Sequence, residues 1–477
     1  PGGRRGNRAA PERGYAALDA GFQTDVPDHP FDIVLANPTT SSITASVVSH
    51  RHGDGCIEFA PVGSTRFART QPQHLHEGMP GRFALVGLRQ DTQYLYRFLF
   101  RPEEAKEFVP SDTFTFHTPR SANATFTFTI QADSHLDSNM SPEVYAQTLR
   151  NALADRPDFH VDLGDTFMTD KRRDFREALP SYEAQRYWLG LLCHSAPLFQ
   201  ALGNHDGENG YAARGEGNIA HWAFAQRTQR FPPPDIADGP GAMYSGRTAW
   251  RDDGGANYFA FRWGVALCIV LDPFWATTTR ARGRGSEVEL TDESWRWSLG
   301  RAQYDWLATT LSGSDAPFVF VFLHHLVGGR GSVARGGAEA APYFEWGGNN
   351  ADGSAGFAAH RPGWPLPIHQ LLVQHGVTAV FHGHDHLYVR GERDGLVYQC
   401  VPQPGNARGG TRSAAEYGYQ SGTVLGSPGH LRVTVGPKAG TVALVRSVAA
   451  GADGDRRERE GNGTVAHQYQ ILPRSRK

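Results

Sequence analysis

The stretch His382-Gly383-His384-Asp385-His386 stands directly after the apolar run Val377 to Phe381, so a polar cluster follows a predicted strand. A polar cluster behind a predicted strand recurs at Asp133-Ser134-His135, Gly164-Asp165, Gly203-Asn204-His205-Asp206 and His324-His325. The strand ends of an open α/β sheet converge on one edge, where sites are built. The five clusters are therefore predicted to meet in space, although they lie far apart in the chain.

Strand-like and helix-like segments alternate between residues 121 and about 450. Strands are predicted at 125–130, 159–163, 197–202, 318–323 and 377–381, and helices at 142–154, 182–192, 301–311 and 367–374. Ser141 before Pro142 is a favourable helix start. Hairpins are predicted at Trp263-Gly264, at Asp394-Gly395 and near Lys438-Ala439-Gly440. This order predicts a layered α/β sandwich of mixed sheets.

The regions before and within this domain have a different composition. Residues 1–22 are rich in Gly, Arg and Pro and predict a flexible tail. Residues 23–120 contain short β-branched or aromatic runs without a helical period, which predicts a small antiparallel β-sandwich domain. The catalytic domain then extends over 121–477. Its Gly- and Arg-rich loop at 326–365 is too long for a plain connection, so we interpret it as a lid or substrate loop.

The bulk composition excludes several classes of protein. The chain has 477 residues, 39% hydrophobic and 20% charged, with a net charge of −2, so no global field attracts nucleic acid or an anionic membrane. Its longest apolar runs, Val265 to Leu271 and Phe318 to Leu323, are far shorter than the roughly twenty residues that cross a bilayer. The four cysteines are far apart and form no CxxC, so we expect buried free thiols and no thiolate metal ligands.

The polar clusters supply only Asp, Asn and His donors. Such oxygen and nitrogen ligands suit Zn, Mn, Fe, Co or Ni. His384 and His386 are two residues apart and can point to neighbouring ions, and Asp165, presented by Gly164, is the natural bridging carboxylate. Two divalent ions set against two carboxylates and a bridging hydroxide leave about one positive charge, which favours an anionic phosphate.

Together these motifs resemble the metallophosphoesterase signature of the calcineurin-like superfamily, which includes the purple acid phosphatases. The resemblance covers about residues 124 to 447 and implies a four-layer α/β/β/α sandwich preceded by a small all-β, fibronectin III-like domain. It implies two metal ions. One would be held by Asp133, His135, Asp165 and His386, and the other by Asp165, Asn204, His324 and His384.

The resemblance also implies a reaction. The chain would hydrolyse a small-molecule phosphate monoester or diester, with a metal-bridging hydroxide attacking phosphorus in line and no nucleic acid required. His205 would contact the developing charge or protonate the leaving oxygen, and Asp206 would orient His205. Resemblance to secreted enzymes further suggests an extracytoplasmic protein whose signal has been removed, since the sequence begins at Pro1 without an initiator Met.

Two departures from the purple acid phosphatases affect the metal. Met168 stands where those enzymes have a tyrosine ligand, and His135 stands where they have no metal-binding histidine. An imidazole thus replaces a phenolate, and we expect a divalent or exchangeable ion without tyrosinate colour. In addition, Asp206 replaces a glutamate.

Other functions remain open at this stage. A two-metal centre recognises a tetrahedral anion, so phosphonate-ester or sulfate-ester hydrolysis is an alternative. A binding or adhesion protein with a vestigial hydrolase domain is another, but a degenerate site should have lost a ligand and none is missing. Three arginines in or beside the long loop could bind substrate oxygens, and the alternative is that they are simply solvated. They are Arg330, Arg335 and Arg361.

Several further residues have a structural and a functional interpretation. His325 and His382 adjoin ligands and are as readily core or supporting histidines. Phe344 and Trp346 would either line a pocket or simply pack. In the sandwich, the pairs His50/His52 and His74/His76 have strand periodicity, and we interpret them as exposed histidines rather than a metal site.

Overall fold

The computed structural model of the protein describes residues 21–215, 217–236, 242–279, 289–331, 333–449 and 461–474. Its amino-terminal part is all β. The strands are β1 (Phe31–Ala36), β2 (Ser42–Ser49), β3 (Gly53–Pro61), β4 (Ala68–Arg69), β5 (Gln73–Leu75), β6 (Pro80–Val86), β7 (Gln93–Pro102), β8 (Val109–Pro110) and β9 (Phe114–His117).

These strands form two antiparallel sheets that pack face to face. One sheet has the order β1-β2-β6, and the other is built around the long β3·β7 pair. Ile33, Ile57, Phe83 and Phe98 are buried between them. The expected all-β region ahead of the second part of the chain is therefore present, with its strands between residues 31 and 117. Strand β3 was not predicted because it begins with Gly53-Asp54-Gly55, although its middle residues are buried.

The second part of the chain contains all seven α-helices of the described residues. They are α1 (Pro142–Ala154), α2 (Leu179–Cys193), α3 (Ile219–Arg230), α4 (Arg301–Ser312), α5 (Phe344–Gly347), α6 (Phe357–His360) and α7 (Ile368–Gln374). The Ser141 side chain accepts a hydrogen bond from Val144 N at the start of α1, as its capping sequence predicts. Helix α3 was not predicted.

Two mixed sheets form the middle of this second part. Their strands are β10 (Phe126–Gln131), β11 (Phe159–Asp162), β12 (Leu198–Gln200), β13 (Tyr244–Arg247), β14 (Tyr258–Trp263), β15 (Ala266–Val270), β16 (Phe318–Leu323), β17 (Ala379–His382), β18 (Tyr388–Arg393), β19 (Leu396–Cys400), β20 (Thr423–Leu425), β21 (Gly429–Val435), β22 (Gly440–Arg446) and β23 (Val465–Ile471). The first sheet has the order β12-β11-β10-β21-β22-β23 and the second β13-β14-β15-β16-β17-β19-β18-β20.

The four layers follow from which face each residue buries. Strand β16 is apolar throughout because both of its faces are covered. Phe320 points between the two sheets, where its ring centroid lies 5.6 Å from that of Phe128. Val321 packs on the opposite face with Leu307 of α4 and Ile368 of α7. Helices α1 and α2 cover the outer face of the first sheet, so the predicted α/β/β/α order is confirmed.

Some expectations need correction or refinement. Residues 1–20 of the predicted tail and most of the predicted surface loop at 451–463 lie outside the described residues. The tail was expected to reach residue 22, but Phe22 packs beneath the Arg172 guanidinium at 3.6 Å, and Gln23 N donates to Leu136 O.

The four cysteines are buried and unpaired, as expected. In the described part of the chain, no helix has both the length and the apolar character needed to span a bilayer.

Candidate metal centre

The polar clusters all follow strands that run parallel to a neighbour. Asp133, Asp165 and Asn204 come after β10, β11 and β12 of the first sheet, while His324 and His384 come after β16 and β17 of the second. The strand ends of both sheets therefore meet at one edge, as the sequence predicts.

The backbone turns sharply at four of these positions. Four residues have positive φ angles of 58°, 54°, 72° and 60°: Asp133, Asp165, His384 and His386. Outside glycine, this left-handed region costs on the order of 1–2 kcal/mol per residue. Such strain concentrates at functional sites, where surrounding contacts hold it.

Glycines let the loops approach one another closely. A Cβ atom at Gly203 would lie 2.0 Å from Asp165 N, and one at Gly164 would lie 2.2 Å from Gly203 N. A Cβ atom at Gly383 would lie 2.7 Å from Asp133 Oδ2. The Gly-Asp, Gly-Asn and Gly-His pairs of the sequence thus have a steric cause, because only glycine leaves room for the neighbouring loop.

Two groups of potential ligands lie side by side. In the first, Asp133 Oδ1 is 3.4 Å from His386 Nε2 and 3.6 Å from His135 Nε2. In the second, His324 Nε2 is 3.2 Å from Asp165 Oδ2 and 3.2 Å from His384 Nδ1. Ligands around one tetrahedral ion with bonds of about 2.0–2.1 Å lie about 3.3 Å apart, so each group has the size of one metal site.

Asp165 joins the two groups, and Asn204 completes the second. The Oδ2 atom of Asp165 faces His324 and also lies 3.7 Å from His135 Nε2 in the first group. The amide oxygen of Asn204 lies 3.1 Å from His324 Nε2. The structure thus brings together all seven side chains assigned to metal binding from the sequence.

The hydrogen bonding around these residues fits bound cations. Asp133 Oδ1 and His135 Nε2 are buried and have no hydrogen-bond partner. Unpaired buried polar atoms are costly, and a coordinated cation would satisfy both. Asp, Asn and His are also the donors that divalent transition metals accept.

The ring nitrogens on the far side of the histidines hold the rings in place. His324 Nδ1 donates to Leu163 O at 2.8 Å, and His384 Nε2 donates to Val333 O at 2.5 Å. These bonds place a hydrogen on the outward nitrogen of each ring. The other nitrogen, His324 Nε2 or His384 Nδ1, faces the remaining ligands of the second group. Metal-binding histidines are usually fixed in this way. Since Val333 belongs to the long loop, that loop contributes to the ligand geometry.

The carboxylates favour positive charge in this pocket. Burial alone would lower the pKa of His324. The charges of Asp165 and Asp133 outweigh this effect and raise the pKa to about 9. In contrast, burial and the nearby Arg335 hold the pKa of His384 well below its ordinary value, so this ring is neutral and can act as a ligand.

His205 lies at the edge of the centre, and its partner differs from the expectation. Its backbone N donates to Asp165 Oδ1 at 2.7 Å, and its ring Nδ1 lies 2.9 Å from Asp170 Oδ1. The prediction that Asp206 orients this ring is wrong. Asp206 is buried and instead accepts backbone hydrogen bonds at 2.8–3.0 Å from Asp165, Thr166, Phe167 and Gly203.

The three arginines assigned to substrate have different surroundings. The prediction that Arg361 binds substrate is wrong. Its guanidinium donates to the Glu345 carboxylate and to the carbonyl oxygens of Trp295, Trp297 and His360. Arg335 donates to His384 O and Asp385 Oδ1 and stacks over the Tyr417 ring. Arg330 lies against Gly418, and its Nε is buried without a hydrogen-bond partner.

The residues for which the sequence left two interpretations open are mainly packed in the interior. Phe344 and Trp346 are fully buried, so they pack within the long loop rather than line a pocket. His325 and His382 are buried beside ligands, each with Nδ1 near a local carbonyl oxygen. The sequence analysis missed Asp385, which lies between two ligands and accepts hydrogen bonds from Gly336 N, Tyr419 Oη and Arg335. The sequence signal that could have pointed to Asp385 was its position between His384 and His386.

Comparisons with known proteins identify the family and the fold. A family model described as calcineurin-like phosphoesterase matches residues 126–388. The solved structure of purple acid phosphatase PPD1 from yellow lupin (Lupinus luteus) seeds has a TM-score of 0.58 and 13% identity, covering 92% of this chain and 73% of that one. A solved structure of PhoD has a TM-score of 0.62 and 13% identity, covering 95% and 94%. At such identity these likenesses show a shared fold. No curated protein sequence matches the chain.

Proposed function

Because the chain belongs to the calcineurin-like phosphoesterase family, we propose that it hydrolyses phosphate esters at a two-metal centre. The observation that carries this proposal is the position of Asp165 Oδ2, which lies 3.2 Å from His324 Nε2 and 3.7 Å from His135 Nε2. A single carboxylate oxygen between two ligand groups is what a bridged pair of cations requires.

The residues divide between two cations. Asp133, His135 and His386 would hold one, Asn204, His324 and His384 would hold the other, and Asp165 would bridge them. Bound divalent ions of the Zn, Mn, Fe, Co or Ni class would activate the attacking water and neutralise phosphoryl oxygens for in-line displacement at phosphorus. The protein's own part is to fix the ligand geometry and to supply the proton-transfer group.

His205 is the residue best placed for that proton transfer. Its side chain is 22% exposed, whereas the ligand His324 is fully buried, so substrate can reach the ring. We assign His205 to contact the developing charge on the phosphoryl group or to protonate the leaving oxygen. Asp170, held against Nδ1, orients the ring, which makes Asp170 a positioning residue.

The charge of the centre selects an anionic tetrahedral substrate. Two divalent cations exceed the charge of Asp133 and Asp165, and the excess favours a phosphate monoester or diester. Phosphonate and sulfate esters present the same tetrahedral anion, so they remain the alternative substrates on the same residues. A panel of nitrophenyl phosphate, bis-nitrophenyl phosphate, nitrophenyl phenylphosphonate and nitrophenyl sulfate separates these activities.

Metal content and turnover test the proposal together. The protein, stripped with a chelator and reloaded with each candidate ion, is expected to bind about two ions per chain at the catalytic residues and to regain nitrophenyl ester hydrolysis. Asp165→Asn is expected to lose metal and turnover, while Asp352→Asn, on the exposed face of the long loop, keeps both. A reloaded wild-type chain without turnover on the whole panel would favour the alternative of a binding protein with a vestigial hydrolase domain.

We also propose that the protein acts outside the cytoplasm. This rests on the resemblance to secreted enzymes that carry a leading sandwich domain. Cell fractionation of the native host followed by immunodetection tests the location, and recovery with cytoplasmic markers alone would contradict it.

A further inference from the structure

A second cluster of potential metal ligands lies in the sandwich, away from the residues assigned to catalysis. It consists of His29, before β1, Asp32, within β1, and His50, directly after β2. We propose that these three side chains form an additional site for a single Zn²⁺-class cation. This site is independent of the proposed phosphoesterase centre, since it shares no residue with it.

The three facing atoms have the spacing of a metal site. His29 Nε2 lies 3.0 Å from His50 Nε2 and 3.5 Å from Asp32 Oδ2, and His50 Nε2 lies 3.4 Å from the same oxygen. Three ligands on one tetrahedral zinc ion are separated by about 3.3 Å, so a cation at the centre of this triangle has bonds of ordinary length. Two imidazoles and one carboxylate are ligands that Zn²⁺, Co²⁺ and Ni²⁺ all accept.

Asp32 is held in place as a buried anion. Its side chain is 4% exposed, and its Oδ1 lies 3.8 Å from Arg186 Nε without a hydrogen-bond partner. Burial raises the pKa of Asp32, but hydrogen bonds from His29 and His50 lower it more, so the carboxylate is ionised. One carboxylate oxygen thus faces the guanidinium and the other faces the two imidazoles.

The Arg186 guanidinium beside this carboxylate is itself fixed. Arg186 donates to the carbonyl oxygens of Ser46, Arg230 and Asp32 and is almost fully buried. These acceptors lie in the sandwich and in the catalytic domain, so the site is at the contact between the two. Preorganised ligands lose little freedom when a cation binds.

His29 presents the correct nitrogen. Its Nδ1 donates to Pro27 O at 2.8 Å, so the other ring nitrogen, Nε2, faces the triangle, and a cation there would displace the hydrogen that Nε2 shares with Asp32. The ring packs against Tyr187 of α2, with centroids 4.8 Å apart. The His50 side chain is 40% exposed, so a cation can enter from solution and a water molecule can take the fourth position.

A neighbouring histidine group is a weaker candidate. His52, His74 and His76 also lie close together, but all three are exposed. His74 is already directed at two carboxylates, with Nδ1 3.2 Å from Asp54 Oδ1 and Nε2 3.7 Å from Glu103 Oε1. This group has no buried anionic ligand, whereas Asp32 supplies one to the proposed site.

A cation at the proposed site would join the segment before β1, the β1 strand and the end of β2. Because His29 packs on Tyr187 of α2 and Asp32 faces Arg186 of the same helix, the cation would stabilise the contact of the sandwich with the catalytic domain. Ligand binding to the folded state raises the unfolding temperature. The site therefore predicts a zinc-dependent thermal shift that does not depend on turnover.

The test compares wild-type protein with His50→Ala and His76→Ala after saturation with Zn²⁺, gel filtration and elemental analysis. His50→Ala is expected to contain about one zinc ion fewer per chain than wild type, and His76→Ala the same number as wild type. Zinc is expected to raise the unfolding temperature less in His50→Ala than in wild type. His50 is exposed, so its replacement leaves the fold intact.

Two outcomes would overturn the proposal: equal zinc in His50→Ala and wild type, or loss of zinc in His76→Ala with retention in His50→Ala. Zinc at the catalytic centre does not affect the comparison of zinc contents, because all three proteins carry the same catalytic residues. If the catalytic residues held no metal, wild type would still contain about one ion and His50→Ala none, so the two proposals fail separately.

Discussion

The Nδ1 atom of His205 lies 2.9 Å from Oδ1 of Asp170, and this pair replaces the His205–Asp206 contact that the sequence suggests. Asp170→Asn would weaken the contact that orients the His205 imidazole. We expect kcat to fall roughly 10- to 100-fold with KM nearly unchanged, because a positioned acid or base contributes about 10²–10⁴-fold in rate. Steady-state kinetics across pH, with the metal content measured in parallel, provide the readout.

Asp174→Asn is the matched control for that variant, since Asp174 lies four residues along the chain and its exposed side chain caps a short helical turn. It should leave kcat and the pH profile intact. An Asp170→Asn enzyme with wild-type kcat at every pH would remove Asp170 from the mechanism.

Asp206→Asn should act on stability instead. The carboxylate accepts four backbone hydrogen bonds that tie the Asp165 loop to Gly203, and an amide oxygen can replace only part of that set. Leaving buried N–H groups unpaired costs about 1–3 kcal/mol each, so we expect a loss of several kcal/mol in the free energy of unfolding and weaker metal retention. Chemical denaturation and elemental analysis measure both effects. A stable variant altered only in its pH–rate profile would return Asp206 to the role predicted from the sequence.

Gly383→Ala tests the close approach of the two metal-binding loops. The added methyl group would lie 2.6 Å from Ala132 Cβ and 2.7 Å from Asp133 Oδ2, so the loops must separate. We expect the affinity for the first metal to fall at least about tenfold, with secondary structure retained by circular dichroism. Gly410→Ala is the control, since a Cβ atom there meets nothing within 4 Å. Equal metal affinity in the two variants would contradict this account.

The sequence revealed the ligands because their signals are local. Each ligand cluster follows an apolar run, so strand ends such as Leu323 before His324 place the clusters at one edge. The contacts that support the ligands are not local. The Val333 carbonyl has no side-chain signature, and Asp170 reaches His205 only through a turn that begins at Met168, whose φ is 54°. The position of Arg361 likewise depends on its ion pair with Glu345, a partner that no spacing rule predicts.

Arg361→Met should reveal a structural rather than a substrate role. Its removal would leave the Glu345 carboxylate, which is fully buried, without its cation. Breaking one partner of a buried ion pair costs about 3–5 kcal/mol, so we expect a lower unfolding temperature and an unchanged KM. The double variant Arg361→Met/Glu345→Gln should recover part of this loss, because no uncompensated charge remains. A KM raised tenfold or more in a stable Arg361→Met protein would restore the predicted contact with substrate.

The metal-free protein should lose stability as the pH rises, because of His324. Its pKa is about 9 in the folded chain, against an ordinary value near 6.5, so folding is coupled to a bound proton. This contribution, about 2–4 kcal/mol, is fully present below pH 6.5 and disappears as the pH rises through about 9. Metal binding must displace the same proton, so metal affinity should increase over that interval. Unfolding curves of chelator-treated protein between pH 6 and 10 test the first expectation, and zinc titrations test the second. His324→Gln, which lacks the titrating ring, should show a smaller slope in both experiments, and a metal-free wild-type protein that gains stability with pH would refute the assignment.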